Sequence, residues 1–144
     1  MVKAGCSMIE RLFLGGLAML GMTSAVALAA ETPASLMARY AQEAGIPVSA
    51  LSADRGAALY RTDHPGRDAQ PVRCASCHTD SPKQPGNTRV GKRIEPLAPV
   101  ANRGRFIDAA KVEKWFRRNC QDVLQRECSA QEKGDFIFWL SQVK

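Results

Sequence analysis

The chain has 144 residues, of which 45% are hydrophobic and 6% aromatic, and its 20 Lys and Arg against 14 Asp and Glu give a formal net charge of +6. This length suits one small domain, and the composition excludes a chain disordered throughout, a collagen-like repeat and a multi-pass membrane protein.

The N-terminal segment has the features of a cleaved export signal. Lys3 and Arg11 precede an uncharged run that closes with Ala27-Leu28-Ala29, a small-x-small cleavage pattern. We therefore predict a signal over residues 1–29 and a periplasmic domain over residues 30–144. The alternative is an uncleaved membrane anchor, which the glycines and hydroxyl side chains of the run weaken. Export also disfavours nucleic-acid binding.

The predicted mature domain begins with two helices. The spacing of Leu36 and Tyr40 predicts a helix over residues 32–45, and Ser52 is a favourable N-cap for the next one. Gly56 lies inside that second helix, where glycine lowers stability. We expect another helix to cross there and use the close backbone approach; a tolerated surface glycine is the alternative.

Cys74-Ala75-Ser76-Cys77-His78 is the attachment signature of c-type haem. One helical turn places both thiols along one porphyrin edge, and the following histidine reaches the iron. We predict one haem c, bound through Cys74 and Cys77, with His78 as the proximal ligand. A thioredoxin-like redox pair would need a βαβ setting, and a zinc site would need a fourth ligand.

Residues 80–105 contain four prolines and several glycines without a sustained period, which predicts a long loop. Such loops commonly cover a site. Because hydrogen bonds to the second ring nitrogen orient metal-bound histidines, we expect a carbonyl to accept from Nδ1–H of His78, with Pro96 as the candidate.

Two more helices follow the loop. Asp108 is the predicted N-cap of a helix that ends near Cys120 and carries four residues on one side: Val112, Trp115, Phe116 and Asn119. Ser129-Ala130-Gln131-Glu132 is a capping box that opens the last helix, the expected partner of Gly56. No strand pattern of useful length occurs, so the predicted fold class is all-α.

The second axial position of the iron has no evident strong donor. No Met or His follows His78, whereas an ordinary electron-transfer cytochrome c supplies one from the later part of the chain. Met37 and His64 remain as alternatives, although a lone Met on a helix is commonly core and a His in a polar turn commonly solvated. The sequence predicts a weak distal ligand or none.

Several segments carry a family resemblance: Phe106-Ile107-Asp108, Lys111 to Trp115, the loop with Gly91-Lys92 and Pro96 to Pro99, and, most specifically, Arg118-Asn119-Cys120 with Cys128 eight residues on. Together they resemble the high-spin, oxygen-binding c-type cytochromes typified by sphaeroides haem protein, over roughly residues 35–140. The resemblance implies a small, class I cytochrome c-like helical domain with covalent haem and long loops.

The resemblance also implies that Asn119 is the sixth iron ligand and that Cys120 pairs with Cys128. Asn119 follows Trp115 by one turn, on the helix face that would overlie the haem, which is compatible with ligation. From spacing alone, an Asn near a helix end is more often a cap. Trp115 would then contact the haem.

A functional expectation follows from the family. A neutral amide is a weak ligand, so the iron should be largely high-spin with a labile sixth position. In the family, Fe(II) lets O2 or NO displace the Asn, and electrons arrive from a dihaem cytochrome c or a membrane cytochrome b. We expect an exported single-electron carrier that binds such gases.

Two alternatives stay open: a haem enzyme, such as a peroxidase or nitric oxide dioxygenase, and an ordinary six-coordinate electron-transfer cytochrome. The enzyme would need distal acid-base groups, for which arginines and Asn119 are the only nearby candidates. Basic residues around the haem suit docking of an acidic redox partner and contact with the propionates: Lys83, Lys92, Arg93, Arg103, Arg105, Arg117 and Arg118.

Overall fold

The computed structural model describes residues 31–67 and 70–144. It contains five helices: α1 (Pro33–Glu43), α2 (Ala53–Arg61), α3 (Ala75–His78), α4 (Ala109–Leu124) and α5 (Ala130–Gln142). A short 3₁₀ helix, Val48–Ala50, precedes α2. The predicted export signal lies outside the described residues. Across the described part of the chain, no helix has the length and apolar character needed to cross a bilayer.

The all-α prediction is confirmed, with one small addition in the long loop. Two strands of two residues each, β1 (Gly86–Asn87) and β2 (Arg93–Ile94), pair antiparallel. Pairs this short leave no alternating pattern in a sequence, so the hairpin was not predicted.

Local capping fixes the helix starts as the sequence indicates. The Ser52 and Asp108 side chains accept from the backbone N–H groups of Arg55 and Lys111, at the starts of α2 and α4. Ser129 and Glu132 form the predicted capping box of α5. The end of α4 is later than predicted: the helix runs one turn past Cys120 because Leu124 is buried beside that cysteine.

The α2–α5 crossing at Gly56 is confirmed. A methyl group at Gly56 would overlap the backbone carbonyl of Asp135 and approach Cβ of Trp139. The buried Asp135 carboxylate accepts from the backbone N–H of Ser52 at 2.7 Å and from Nε of Arg55 at 2.6 Å. Close packing and a satisfied buried carboxylate together fix α2 on α5.

The first helix is tied to α4 and α5 through Glu113. The hydroxyl of the fully buried Tyr40 donates to Oε1 of Glu113 at 2.5 Å, and Nζ of Lys133 donates to Oε2 at 2.9 Å. Phe116 contacts the Tyr40 ring edge-on at a centroid distance of 6.0 Å. These contacts complete the helical core on which the attachment segment rests.

Candidate haem site

The attachment helix α3 is fixed to the core at its start and its end. Ala75, the first residue of α3, is buried in the main hydrophobic cluster with Tyr60. The Tyr60 hydroxyl donates to the carbonyl of Thr79 at 2.6 Å, directly after His78. Thr79 has a φ of +63°, in the left-handed region, which ends the helix there. The core thus sets the orientation of the whole turn.

The chain before α3 is held by His64. Its backbone forms a two-way bridge with Val72, with N···O distances of 2.8 and 2.9 Å. Its Nε2 lies 2.9 Å from the carbonyl oxygen of Leu59, which is also 4.0 Å from Sγ of Cys74. Met37, the other alternative donor, is partly buried against the main cluster. The side chain of Met37 is therefore engaged in core packing, and that of His64 contacts the Leu59 carbonyl.

The donor groups of α3 have the chemistry that haem c requires. Cys74 and Cys77 are free thiols. Burial raises the pKa of the Cys74 thiol to about 11. Burial, together with the positive charge of Arg105, lowers the pKa of His78 to about 4. At neutral pH the turn presents a protonated Cys74 thiol and an uncharged imidazole with a free lone pair, so these residues fit a covalently attached, histidine-ligated haem.

The long loop packs directly on α3. A methyl group at Gly86 would overlap the carbonyl of Cys77 and crowd Cα of His78. Farther along, the backbone N–H groups of Leu97 and Ala98 both donate to the Pro82 carbonyl at 2.9 Å. Sequence reasoning missed Gly86, because nothing local distinguishes it from the other loop glycines.

The carbonyl of Pro96 has two side-chain donors in the structure. Nε of Arg105 donates to it at 2.7 Å and Nδ2 of Asn102 at 3.4 Å. Nη2 of Arg105 donates to the neighbouring Glu95 carbonyl at 2.5 Å. The hydrogen bond expected from His78 to the Pro96 carbonyl stays a prediction. Arg105 was expected from its charge to be one of the basic residues around the haem, and the structure shows it bonded to two backbone carbonyls.

The predicted single face of α4 is divided into two stripes. Val112 and Phe116 pack inward, while Trp115 is 41% exposed and Asn119 is exposed. The guanidinium of Arg118 lies 5.2 Å from the Trp115 ring centroid. Successive helical residues differ by about 100° around the axis, so neighbours in sequence fall on different stripes.

The disulfide implied by the family resemblance is confirmed. Cys120 and Cys128 are bonded, with a Cα–Cα distance of 5.6 Å, and both are buried with Leu124. The bond fixes the end of α4 to the start of α5, next to Asn119. Asn119 is therefore attached to a rigid part of the helix although its side chain is exposed.

Comparison with known proteins places the chain among c-type cytochromes. A family described as a domain of unknown function, DUF1924, matches residues 47–140. The cytochrome c-type protein SHP of Cereibacter sphaeroides is 44% identical over 116 residues, covering 80% of this chain and 88% of that protein. Cytochrome c'' of Methylophilus methylotrophus is 50% identical over 68 residues, covering 46% of this chain and 47% of that protein.

Solved structures show the same similarity. Oxidised SHP, described as an oxygen-binding cytochrome c, aligns with a TM-score of 0.71 and 42% identity, covering 78% of this chain and 97% of that one. Oxidised cytochrome c'' from Methylophilus methylotrophus aligns with a TM-score of 0.69 and 34% identity, covering 78% of this chain and 94% of that one.

Proposed function

The chain belongs to the DUF1924 family and is a monohaem c-type cytochrome related to SHP, and from this premise we propose that it is a periplasmic electron carrier with a labile sixth iron ligand. The observation that carries the proposal is the position of the alternative donors. Outside residues 1–29, Met37 is the only methionine and His64 the only histidine besides His78. Their side chains are engaged in the core and at the Leu59 carbonyl.

Asn119 is the proposed distal ligand and His78 the proximal one. Trp115 and Asn119 lie four residues apart, so they share an exposed stripe of α4 that can contact a haem. The amide oxygen is a weaker donor than a thioether or an imidazole, so a diatomic ligand can displace it. When bound, haem c supplies a reversible one-electron couple and a site for a small gas.

The proposed gas ligands are O2 and NO. Support comes from the SHP relative, which is described as oxygen-binding. The Asn119 side chain is an amide, which cannot act as a general acid or base near neutral pH. This favours reversible binding of a gas over its catalytic conversion. A peroxidase or nitric oxide dioxygenase remains the second candidate, and stopped-flow measurement of peroxide or NO consumption separates the two.

The proposed electron donor is an acidic dihaem cytochrome c or a membrane cytochrome b. Six basic residues of the loop and of α4 are exposed, and they provide the positive surface for such a partner: Lys83, Lys92, Arg93, Arg103, Arg117 and Arg118. Because charge-steered association is screened by salt, the rate of reduction by the donor should fall as ionic strength rises.

The decisive experiment is spectroscopy of the purified haem-loaded protein. We expect a largely high-spin ferric electron paramagnetic resonance spectrum. A low-spin ferric resonance signal would overturn the proposal, whether it comes with the red charge-transfer absorption band of methionine ligation or is the signal of bis-histidine ligation. Asn119→Ala should keep the haem attached and bind carbon monoxide faster in the ferrous state. Gln121→Ala, an exposed amide on the same helix, is the matched control and should bind at the wild-type rate.

A further inference from the structure

The hairpin of β1 and β2 is built directly on the attachment helix. Gly86, the first residue of β1, lies so close to α3 that an added methyl group would overlap the Cys77 carbonyl and crowd Cα of His78. At this end of the hairpin Gly86 pairs with Ile94. About two residues of extended chain, at roughly 3.4 Å each, separate Gly86 from the turn between the strands. The hairpin therefore joins the backbone of the attachment turn to the molecular surface.

The turn between the strands, residues 88–92, is the hairpin loop, and hydrogen bonds close it. The backbone N–H of Thr88 donates to the Lys92 carbonyl at 2.8 Å, and that of Lys92 donates to Oγ1 of Thr88 at 3.0 Å. The N–H of Gly91 donates to the Thr88 carbonyl at 2.9 Å. Gly91 has a φ of +75°, which glycine adopts without strain. A loop already held in one conformation loses little conformational entropy when a partner binds.

The hairpin loop combines an exposed apolar side chain with positive charge. Val90, at its apex, is 89% exposed, more than any other large hydrophobic residue that the structure describes. Residues 86–95 contain three basic residues and one acidic residue: Arg89, Lys92, Arg93 and Glu95. The Glu95 carboxylate lies 3.1 Å from Nε of Arg93. A single exposed valine is ordinary on protein surfaces. This one is distinguished by its place on a fixed, cationic loop that is built on α3.

We propose that the hairpin loop is the contact on which an acidic electron-transfer protein docks, with Val90 in the apolar centre and the basic side chains facing carboxylates around it. This inference rests on the proposed function, in which α3 carries haem and the chain exchanges electrons, and it narrows the broad basic surface to one loop. One electron passes from the reduced partner to Fe(III), so the partner is oxidised as the iron becomes Fe(II).

The size and chemistry of the loop suit such a partner. Transient electron-transfer complexes bury small interfaces, below about 1,200 Å² in total, so one loop can form most of the contact. Interfaces commonly have an apolar centre and a polar rim. Charge complementarity mainly speeds the encounter and sets the orientation of the partners. The loop would thus place the partner beside the turn that carries Cys77 and His78.

The test measures binding of the haem-loaded protein to oxidised flavodoxin, an acidic electron-transfer protein, by calorimetry. Lys92→Gln should weaken binding by about twofold to fivefold. This loss should shrink between about 0.01 and 0.15 M ionic strength, as the Debye length falls from about 30 to about 8 Å. Val90→Ser should weaken binding by about fourfold, as expected for one lost methylene-sized apolar contact, and this loss should persist in salt.

Matched controls make the same changes at other exposed positions. Lys114→Gln lies on α4 and Val48→Ser on the 3₁₀ helix, and both side chains are exposed. Both controls should bind flavodoxin with wild-type affinity. Reduction of the ferric protein by flavodoxin hydroquinone, followed by stopped flow, should slow in Lys92→Gln and Val90→Ser by factors similar to their losses of affinity.

The outcomes separate the inference from the proposed function. Wild-type affinity in both hairpin variants, while flavodoxin hydroquinone still reduces the iron, would overturn the inference alone. If Val90→Ser instead abolished retention of the protein on phosphatidylglycerol vesicles, the loop would be assigned to a membrane surface and the inference would equally fail. Reduced affinity in both hairpin variants, with a wild-type iron that flavodoxin hydroquinone does not reduce, would support the docking surface and overturn the electron-carrier function.

Discussion

Tyr60 donates a 2.6 Å hydrogen bond from its hydroxyl to the carbonyl of Thr79, and this bond joins helix α2 to the residue that follows His78, the proposed proximal ligand. Tyr60 is fully buried, and its ring lies 4.8 Å from that of Trp139 in α5. Burial raises the pKa of the Tyr60 hydroxyl, so the group stays a donor throughout the physiological pH range. Through this side chain the helical core contacts the end of the helix that carries the candidate haem site.

Tyr60→Phe removes this bond and leaves the Thr79 carbonyl without that donor. We expect a loss of about 1–3 kcal/mol in the free energy of unfolding, measured by urea denaturation of the holoprotein, and altered carbon monoxide binding. Tyr40→Phe is the matched control, since it removes a buried hydroxyl that bonds Glu113. It should lower stability but leave carbon monoxide kinetics unchanged. Equal kinetic effects of the two variants would refute a specific link to the site.

Gly86→Ala places a methyl group against the Cys77 carbonyl. Because this carbonyl belongs to the backbone, it cannot make room for the methyl group unless α3 moves. We expect a destabilisation of about 1–3 kcal/mol and less covalent haem per polypeptide, measured from haem absorbance and thermal unfolding. Gly104→Ala is the control, because its methyl would meet only the side-chain oxygen of Asn102, at 3.3 Å. Full haem loading and an unchanged melting temperature in Gly86→Ala would show that the loop can shift at no cost.

The features that sequence reasoning captured are those encoded within a few neighbouring residues. The capping box at Ser129 and Glu132 acts across one helical turn, and the haem signature spans five residues, so both are visible as local patterns. Gly56 was interpretable because an interior helix glycine is costly and therefore indicates a crossing. The expected partner, the last helix, was correct.

The features that sequence reasoning missed depend on how the long loop is folded. The contact of Gly86 with Cys77 and the bond from Arg105 to Pro96 join residues about nine apart whose backbone has no regular period. Their partners are set by the path of the chain, which periodicity does not specify. The division of α4 likewise depends on which stripe the core covers, so Trp115 could not be assigned to the outer one from spacing.

The Cys120–Cys128 disulfide closes a loop with a sequence separation of 8. Loop-closure entropy predicts that the Cys120→Ser, Cys128→Ser double variant loses about 2–3 kcal/mol of stability. Urea denaturation with and without a thiol reductant measures the effect. The reductant should destabilise the wild-type protein by a similar amount and leave the double variant unaffected. A wild-type protein whose midpoint does not move after verified reduction would contradict this account.

Glu113 makes the stability of the domain depend on pH. Burial by itself would raise the pKa of Glu113, but the hydrogen bonds from Tyr40 and Lys133 and the charges of Lys133 and Arg39 outweigh it and hold that pKa below the ordinary range. A carboxyl with a lower pKa in the folded state stabilises the protein above its unfolded-state pKa. This contribution is lost as pH falls below about 4.3.

Glu113→Gln should therefore be less stable than wild type at pH 7, by about 1 kcal/mol since the carboxylate is partly solvated. The difference should shrink as pH falls through the pKa of the folded carboxyl, because the wild-type side chain then becomes neutral as well. Urea midpoints of both proteins between neutral and acid pH measure the trend. Glu43→Gln is the control: that carboxylate is exposed and lies 3.9 Å from Arg39, so its loss should have little effect. A wild-type advantage over Glu113→Gln that stays constant across the acid range would contradict the role assigned to the charged carboxylate.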